Sequence, residues 1–171
     1  MKKISFRNDV LPLKNELFRL ALRITLNRAE AEDVVQETMI KVWNRRDKWE
    51  EIESIEAFCL TICRNIAIDK TKKAENQNLS LADNHDVPDS SYSSNPEEQA
   101  EQRDRVALIR RLIGELPEKQ RSIMQLRDVE GKSYKDIAKI LAISEEQVKI
   151  NIFRARQTIK QKFIEAENYG L

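Results

Sequence analysis

The sequence predicts an all-α fold: two small helical domains joined by a flexible acidic linker, the C-terminal one a four-helix domain with a helix-turn-helix. Three observations lead there. Apolar residues recur at helical spacing over most of the chain, and no strand pattern competes with them. Of 171 residues, 35% are charged, 6% are aromatic and only 3 are glycine, a profile of helical soluble proteins. Between the periodic halves, residues 76–100 are rich in Asn, Asp and Ser, contain Pro88 and Pro96, and show no period.

Taken in order, the first helix is predicted from near Asp9 to Leu26, with Val10, Leu13, Leu17, Leu20, Ala21 and Ile24 on one stripe. Pro12 is tolerable there because it falls in the first turn. Asn27 can cap a second helix reaching about Asp47, with Ala31, Val34, Val35, Thr38 and Val42 inside and Glu32, Asp33, Gln36, Glu37 and Lys41 outside. A third helix runs from Ser54 to about Lys73; Ile55, Phe58, Cys59, Ile62 and Ile66 form its main face, and Leu60 and Cys63 widen it. A face so wide implies burial against both neighbours. Its end turns basic at Arg64, Lys70, Lys72 and Lys73. Residues 1–75 therefore read as one domain, 76–100 as the linker and 101–171 as the second domain.

The second domain opens with Val106, Ile109, Leu112, Ile113 and Leu116 on one face. Gly114 and Pro117 interrupt the chain, a helix with Ile123, Met124 and Leu126 follows, and Gly131 can stop it with a positive φ. Then come two short capped helices. Tyr134, Ile137, Ala138 and Leu141 share one face; Val148, Ile152, Ala155 and Ile159 share another; Ala142, Ile143 and Ser144 leave room only for a tight turn. Ser133 stands three before Asp136, and Ser144 three before Gln147, the spacing of a capping box. The unit reads as a helix-turn-helix.

Its second helix presents Glu146, Lys149, Ile150, Phe153 and Gln157 away from the apolar track, with Arg154 on the flank. From Lys149 to Lys162 the cations are Lys149, Arg154, Arg156, Lys160 and Lys162, and no acid intervenes. Cations, Asn151 and apolar side chains on one face suit a major groove, with its phosphates, base edges and thymine methyls. Arg156 points nearer the core side, toward a phosphate or an intraprotein contact.

Net charge is +1, but its distribution is uneven. Residues 76–100 hold Asp83, Asp86, Asp89, Glu97 and Glu98 and no cation, so removing those five charges leaves +6 on the remainder. No apolar run is long enough to span a bilayer and no secretory signal is visible, which predicts a cytoplasmic protein without membrane insertion. Cys59 and Cys63, at i and i+4 on a helix, suit buried free thiols better than a disulfide. With His85 alone in the linker, no metal site, catalytic constellation, cofactor or small-molecule substrate is predicted.

Three stretches resemble the bacterial sigma-70 family, in its extracytoplasmic-function (ECF) subgroup. They are Ala31 to Thr38 followed by Lys41-Val42-Trp43; Arg64-Asn65-Ile66-Ala67-Ile68-Asp69; and Leu116 to Arg121, Leu126 to Gly131 and the helix-turn-helix. The resemblance implies a non-enzymatic subunit. It would bind core RNA polymerase and direct it to promoter DNA through a −10 element and a −35 element, under the control of an anti-sigma factor. Carried over by position, Asp33, Gln36 and Glu37 would contact polymerase. Asn65 would hold a flipped base, with Lys70, Lys72 and Lys73 on phosphates. Gln147, Lys149, Ile150, Asn151, Phe153 and Arg154 would meet the −35 element.

The chain also departs from the pattern. Phe58 stands where the family usually has Trp, Leu60 where it often has Tyr, and Lys70-Thr71 replace a common Tyr-Leu pair. Ile150-Asn151 replace a common Ser-Arg pair, which alters the −35 sequence read. Ala142 replaces a frequent turn glycine, predicting a turn conformation that alanine accepts. Trp43 and Trp49 are expected in packing rather than in base stacking. The alternative reading is a stand-alone helix-turn-helix regulator that dimerises on a palindrome without polymerase.

Overall fold

A computed structural model describes residues 3–76 and 96–169. Most of the predicted linker, with His85, lies outside the described residues. Among those described, the regular elements are helical: α1 (Lys14–Thr25), α2 (Arg28–Asn44), α3 (Ile55–Asn76), α4 (Pro96–Gly114), α5 (Glu118–Met124), α6 (Tyr134–Leu141) and α7 (Glu145–Asn168). Pro96 opens α4, so the last residues of the stretch read as linker are helical.

Helices α1, α2 and α3 pack on one another in every pairing. The predicted stripe of α1 is the buried one, through Leu17, Leu20, Ala21 and Ile24. The predicted start at Asp9 is corrected: a π turn over Phe6–Val10 and a 3-10 turn over Leu11–Leu13 precede α1. Pro12 offers no N–H to an α-helical ladder, so the backbone turns irregularly around it. α2 carries its expected cap, with Glu30 N–H donating to Asn27 Oδ1 at 3.0 Å. It ends at Asn44 rather than near Asp47, and a 3-10 turn follows over Arg46–Glu51. Trp49 folds back in that turn and its indole Nε1 donates to the Val42 carbonyl at 3.1 Å, which also accepts from Arg45 N–H at 3.2 Å, so the helix end is closed from two sides.

α3 is capped by Ser54, whose Oγ accepts from Ala57 N–H at 3.2 Å. Its buried side is Cys59, Leu60, Ile62, Cys63, Ile66 and Ala67, whereas Ile55 and Phe58 are only partly buried. The predicted centre of that face is therefore shifted toward the small residues, which let α1 and α2 approach closely. The Cys63 thiol donates to the Leu17 carbonyl at 3.4 Å. Burial pushes the Cys59 and Cys63 thiols up to about 12, so both remain protonated at neutral pH.

In the C-terminal half, α5 and α6 pack on α7, and α4 rests on α7. Leu112 and Leu116 of the predicted α4 stripe are buried, but Val106 and Ile109, nearer the start of the helix, stay exposed. α5 continues as a π turn over Gln125–Val129 and stops at Gly131, whose φ is +71°, as its position predicts. Both caps of the helix-turn-helix are present: Ser133 Oγ accepts from Asp136 N–H and Ser144 Oγ from Gln147 N–H, each at 3.1 Å.

The turn corrects one expectation. Ala142 adopts φ 56° and ψ 47°, the left-handed region, and so does not find a conformation comfortable for alanine. The reward is a closed helix end, where Ile143 N–H reaches the Ala138 carbonyl at 3.0 Å. A left-handed alanine costs about 1–2 kcal/mol, and glycine returns roughly 0.4–1 kcal/mol of that as unfolded-state entropy. Ala142→Gly is accordingly expected to stabilise the fold by about 0.5–1 kcal/mol in urea unfolding; a destabilised variant would disprove the left-handed turn.

Candidate nucleic-acid interface

Three surfaces carry the predicted site residues, and each is positioned by an apolar face behind it. On α7, Val148, Ile152 and Ala155 are buried and Ile159 is half-buried, as the period predicts. The opposite side shows Gln147, Lys149, Ile150, Phe153 and Arg154 exposed. Phe153 is 63% exposed and Ile150 47%, beside Lys149 and Arg154. The face thus combines exposed apolar and cationic side chains, which makes it the candidate contact surface of α7. Asn151 is different: it is half-buried, and its amide Nδ2 donates to the Gln147 carbonyl at 2.8 Å.

Two supports of this surface escaped the sequence reading. Asp128 accepts both donors of Arg156, with Nε at 3.2 Å, which realises the intraprotein option for that arginine and holds its pKa above the ordinary value. The Tyr134 ring lies under the Arg127 guanidinium at 4.4 Å and the Lys149 ammonium at 5.9 Å. Cations over an aromatic face are attracted by its quadrupole. Asp128 and Tyr134 belong to neighbouring elements, so no spacing within α7 could announce them.

The second surface is the outer side of α2, where Asp33, Gln36 and Glu37 are all exposed, three and four residues apart on one face. The third is the outer side of α3. Asn65, Lys72 and Lys73 are exposed there, because Ile66, Ala67 and Ala74 anchor the opposite side. Lys70 behaves otherwise and pairs with Glu37 across the α2–α3 boundary at 3.0 Å. The structure thus joins one residue of each surface. Trp49 is 7% exposed, in packing as expected. Trp43 is 46% exposed, edge-on to Phe6 and Trp49 with Arg46 at 4.4 Å over its ring.

Arg64 opens the α3 stretch but faces the C-terminal half. Its Nε and Nη2 donate to the two Glu118 oxygens at 3.1 and 2.9 Å, and Ser122 Oγ donates to the same carboxylate at 2.6 Å. A groove of about 400 Å³ between the start of α3 and α6 is lined by Glu53, Phe58, Thr61, Lys135 and Lys139, among others. Among the described residues, no group of three or more His, Cys, Asp or Glu is placed to hold a metal ion, and no helix is long and apolar enough to cross a membrane.

Comparison with known proteins accounts for this layout. Residues 10–77 match the family model of Sigma-70 region 2, and residues 107–159 that of Sigma-70, region 4. The ECF RNA polymerase sigma factor SigL of Mycobacterium tuberculosis is 32% identical over 149 residues, covering 84% of this chain and 80% of the relative. The ECF RNA polymerase sigma factor SigM of Bacillus subtilis is 26% identical over 146 residues, 85% of this chain and 87% of its own. A probable RNA polymerase sigma factor of Xanthomonas campestris, RfaY, is 28% identical over 158 residues; the chain spans 40% of that relative's length. Among solved structures, the sigma factor RpoE, in its complex with the anti-sigma factor NepR from Bartonella quintana, superposes with a TM-score of 0.75 at 22% identity. That match covers 94% of this chain and 96% of RpoE. Two regions matched in order and a relative 32% identical across most of both chains settle the family: the chain belongs to the sigma-70 family, in its extracytoplasmic-function group, and is a sigma factor of transcription initiation.

Proposed function

We propose that the chain binds core RNA polymerase in the cytoplasm, directs it to promoters by contacting −10 and −35 elements, and catalyses nothing itself. Residues 1–75 serve polymerase and the −10 element, 101–171 serve the −35 element, and 76–100 join them. An anti-sigma factor restrains it, as NepR is bound to RpoE in their solved complex. The observation that carries this reading is the outward face of α7, where Ile150 and Phe153 stand exposed beside Lys149 and Arg154 while the inner track is closed. The match of residues 10–77 to Sigma-70 region 2 leaves the stand-alone regulator without support.

Asp33, Gln36 and Glu37 supply the polymerase contact. None of the three is buried, and the one ion pair among them, Glu37 to Lys70, is half-exposed. Such a pair is worth about 0–1 kcal/mol, so replacing all three by Ala leaves the fold intact. Each hydrogen bond to a charged group is worth about 1.5–3 kcal/mol, so capture by core polymerase is expected to weaken about tenfold or more. Unchanged co-purification would refute the assignment.

To Asn65, exposed on α3, we assign the holding of a base extruded from the −10 strand. Extrusion costs a few kcal/mol, and the contacts made to the base outside the stack repay it. Asn65→Ala is expected to lower transcription from a duplex promoter and to stay defective on a template already melted at −10. Full rescue by pre-melting would place Asn65 in strand separation instead.

On α7 the labour divides by chemistry. Lys149, a point charge already drawn over Tyr134, contacts phosphate; Arg154 has the planar fork that binds guanine with two hydrogen bonds. Lys149→Ala is expected to weaken binding to all sequences alike and to lower the salt slope by about one. Arg154→Ala is expected to relax one base pair of the −35 element by about 1–3 kcal/mol. Transcription from a library randomised there, at fixed salt, separates the two. An even loss with preferences intact in the Arg154 variant would make that residue a backbone contact.

A further inference from the structure

The exposed edge of α7 does not end at Phe153. Arg156 stands three residues after Phe153 and seven after Lys149, on the same side of the helix. Its side chain is 49% exposed, yet its Nε and Nη2 both donate to the Asp128 carboxylate. Asp128 sits on the turn over Gln125–Val129 and its own side chain is 34% exposed, so the pair lies at the margin of the candidate surface. Beside it the Tyr134 ring takes the Arg127 guanidinium and the Lys149 ammonium. Arg127 is tied as well, its Nη1 donating to the Lys132 carbonyl at 2.8 Å. A carbonyl leaves the charge it holds in place, whereas the Asp128 carboxylate cancels that of Arg156.

That cancellation matters because of what phosphates supply. Phosphate contacts add affinity that does not depend on sequence, and base contacts add the part that does. To neutralise a phosphate, Arg156 has to leave Asp128, and the carboxylate left behind repels the same phosphate. The pair therefore brings no net charge to this margin, while Lys149 keeps its own a turn and more away.

We propose that Asp128 is a specificity-determining residue: by withholding Arg156 from phosphate it removes one sequence-independent contact from α7, so a larger share of the binding comes from side chains that meet bases. The proposal rests on the promoter reading above. Non-promoter sites far outnumber promoters on a chromosome, so the ratio of the two affinities decides where the protein sits.

The test uses the full chain and three variants. Asp128→Asn keeps the size of the side chain and releases Arg156, Arg156→Gln leaves the carboxylate unpaired, and the double variant is neutral like the wild-type pair. A pair this exposed adds little to folding, so helical circular dichroism and the urea midpoint are expected to stay near wild type in all three. Fluorescence anisotropy with a labelled duplex of scrambled sequence, read across a salt series, gives affinity and salt slope. Asp128→Asn is expected to bind about threefold tighter or more, with a slope steeper by about one. Arg156→Gln is expected to bind more weakly than wild type, and the double variant like wild type. In transcription with core polymerase from the library randomised at −35, scrambled competitor duplex is expected to halve the output of Asp128→Asn at about one third of the concentration needed for wild type. Weaker or unchanged binding by Asp128→Asn would overturn the proposal and make Asp128 a support of Arg156. A gain that survives in the double variant would show that Arg156 is not what Asp128 withholds. Tighter binding with unchanged sensitivity to competitor would overturn the role in specificity. If wild type initiates from no library member, the promoter reading fails, while the anisotropy data still decide whether Asp128 withholds Arg156.

Discussion

α6 has only 8 residues, and a helix that short does not persist alone in water. It exists because Ile137, Ala138, Ile140 and Leu141 bury against neighbouring helices, α7 among them. The same burial fixes the rotation of α7: with Val148, Ile152 and Ala155 turned inward, Lys149, Ile150, Phe153 and Arg154 must turn outward. The candidate surface, with its flexible Lys and Arg side chains, is thereby mounted on a helix whose rotation the buried track fixes. The left-handed Ala142 is the cost of joining the two helices through so few residues, and the closed end of α6 offsets part of it.

The period of the apolar residues made most of this legible before any coordinates. The tracks of α1, α2 and α7, the caps at Asn27, Ser133 and Ser144, and the stop at Gly131 are local, and local chemistry is written in neighbouring letters. What the letters did not reveal depends on residues distant in the chain. The end of α2 was misplaced because it answers to Trp49, whose indole returns to Val42. The face of α3 was misjudged because a helix packed on two sides buries its small residues deepest, and Cys63 and Ala67 look no more internal than Phe58 on a helical wheel. The bonds of Asp128 and Arg121 join elements whose packing no spacing records.

The candidate surfaces were legible in the same uneven way. Asp33, Gln36, Glu37 and Asn65 stand exposed where their positions put them. The engagement of Asn151 with its own helix and the pairing of Lys70 with Glu37 were not foreseeable from spacing. One of the two Nδ2 donors of Asn151 is committed to the Gln147 carbonyl, which fixes the rotamer of the amide and leaves its second donor and its Oδ1 for any outside partner, whereas Arg154 is held by no such bond to its own helix among those described.

Two kinds of ion pair hold this chain, and their burial separates their roles. Lys70 and Glu37 meet in partial exposure, where attraction is screened and each partner loses little by leaving. Either side chain can therefore leave the other at small cost, so the pair ties α2 to α3 only loosely. Lys132 is enclosed by Glu16 and Glu56, and burial holds Glu16 above its usual carboxylate range despite the nearby ammonium. Removing Lys132 leaves the largely buried Glu16 carboxylate without its cation, whereas Glu56, more than a third exposed, still meets water. The ion cluster therefore fixes the register in which Lys132 meets α1 and α3, while apolar side chains shared by the two halves, Leu17, Ile24, Leu116, Ile123 and Ile137 among them, supply the driving force of that packing.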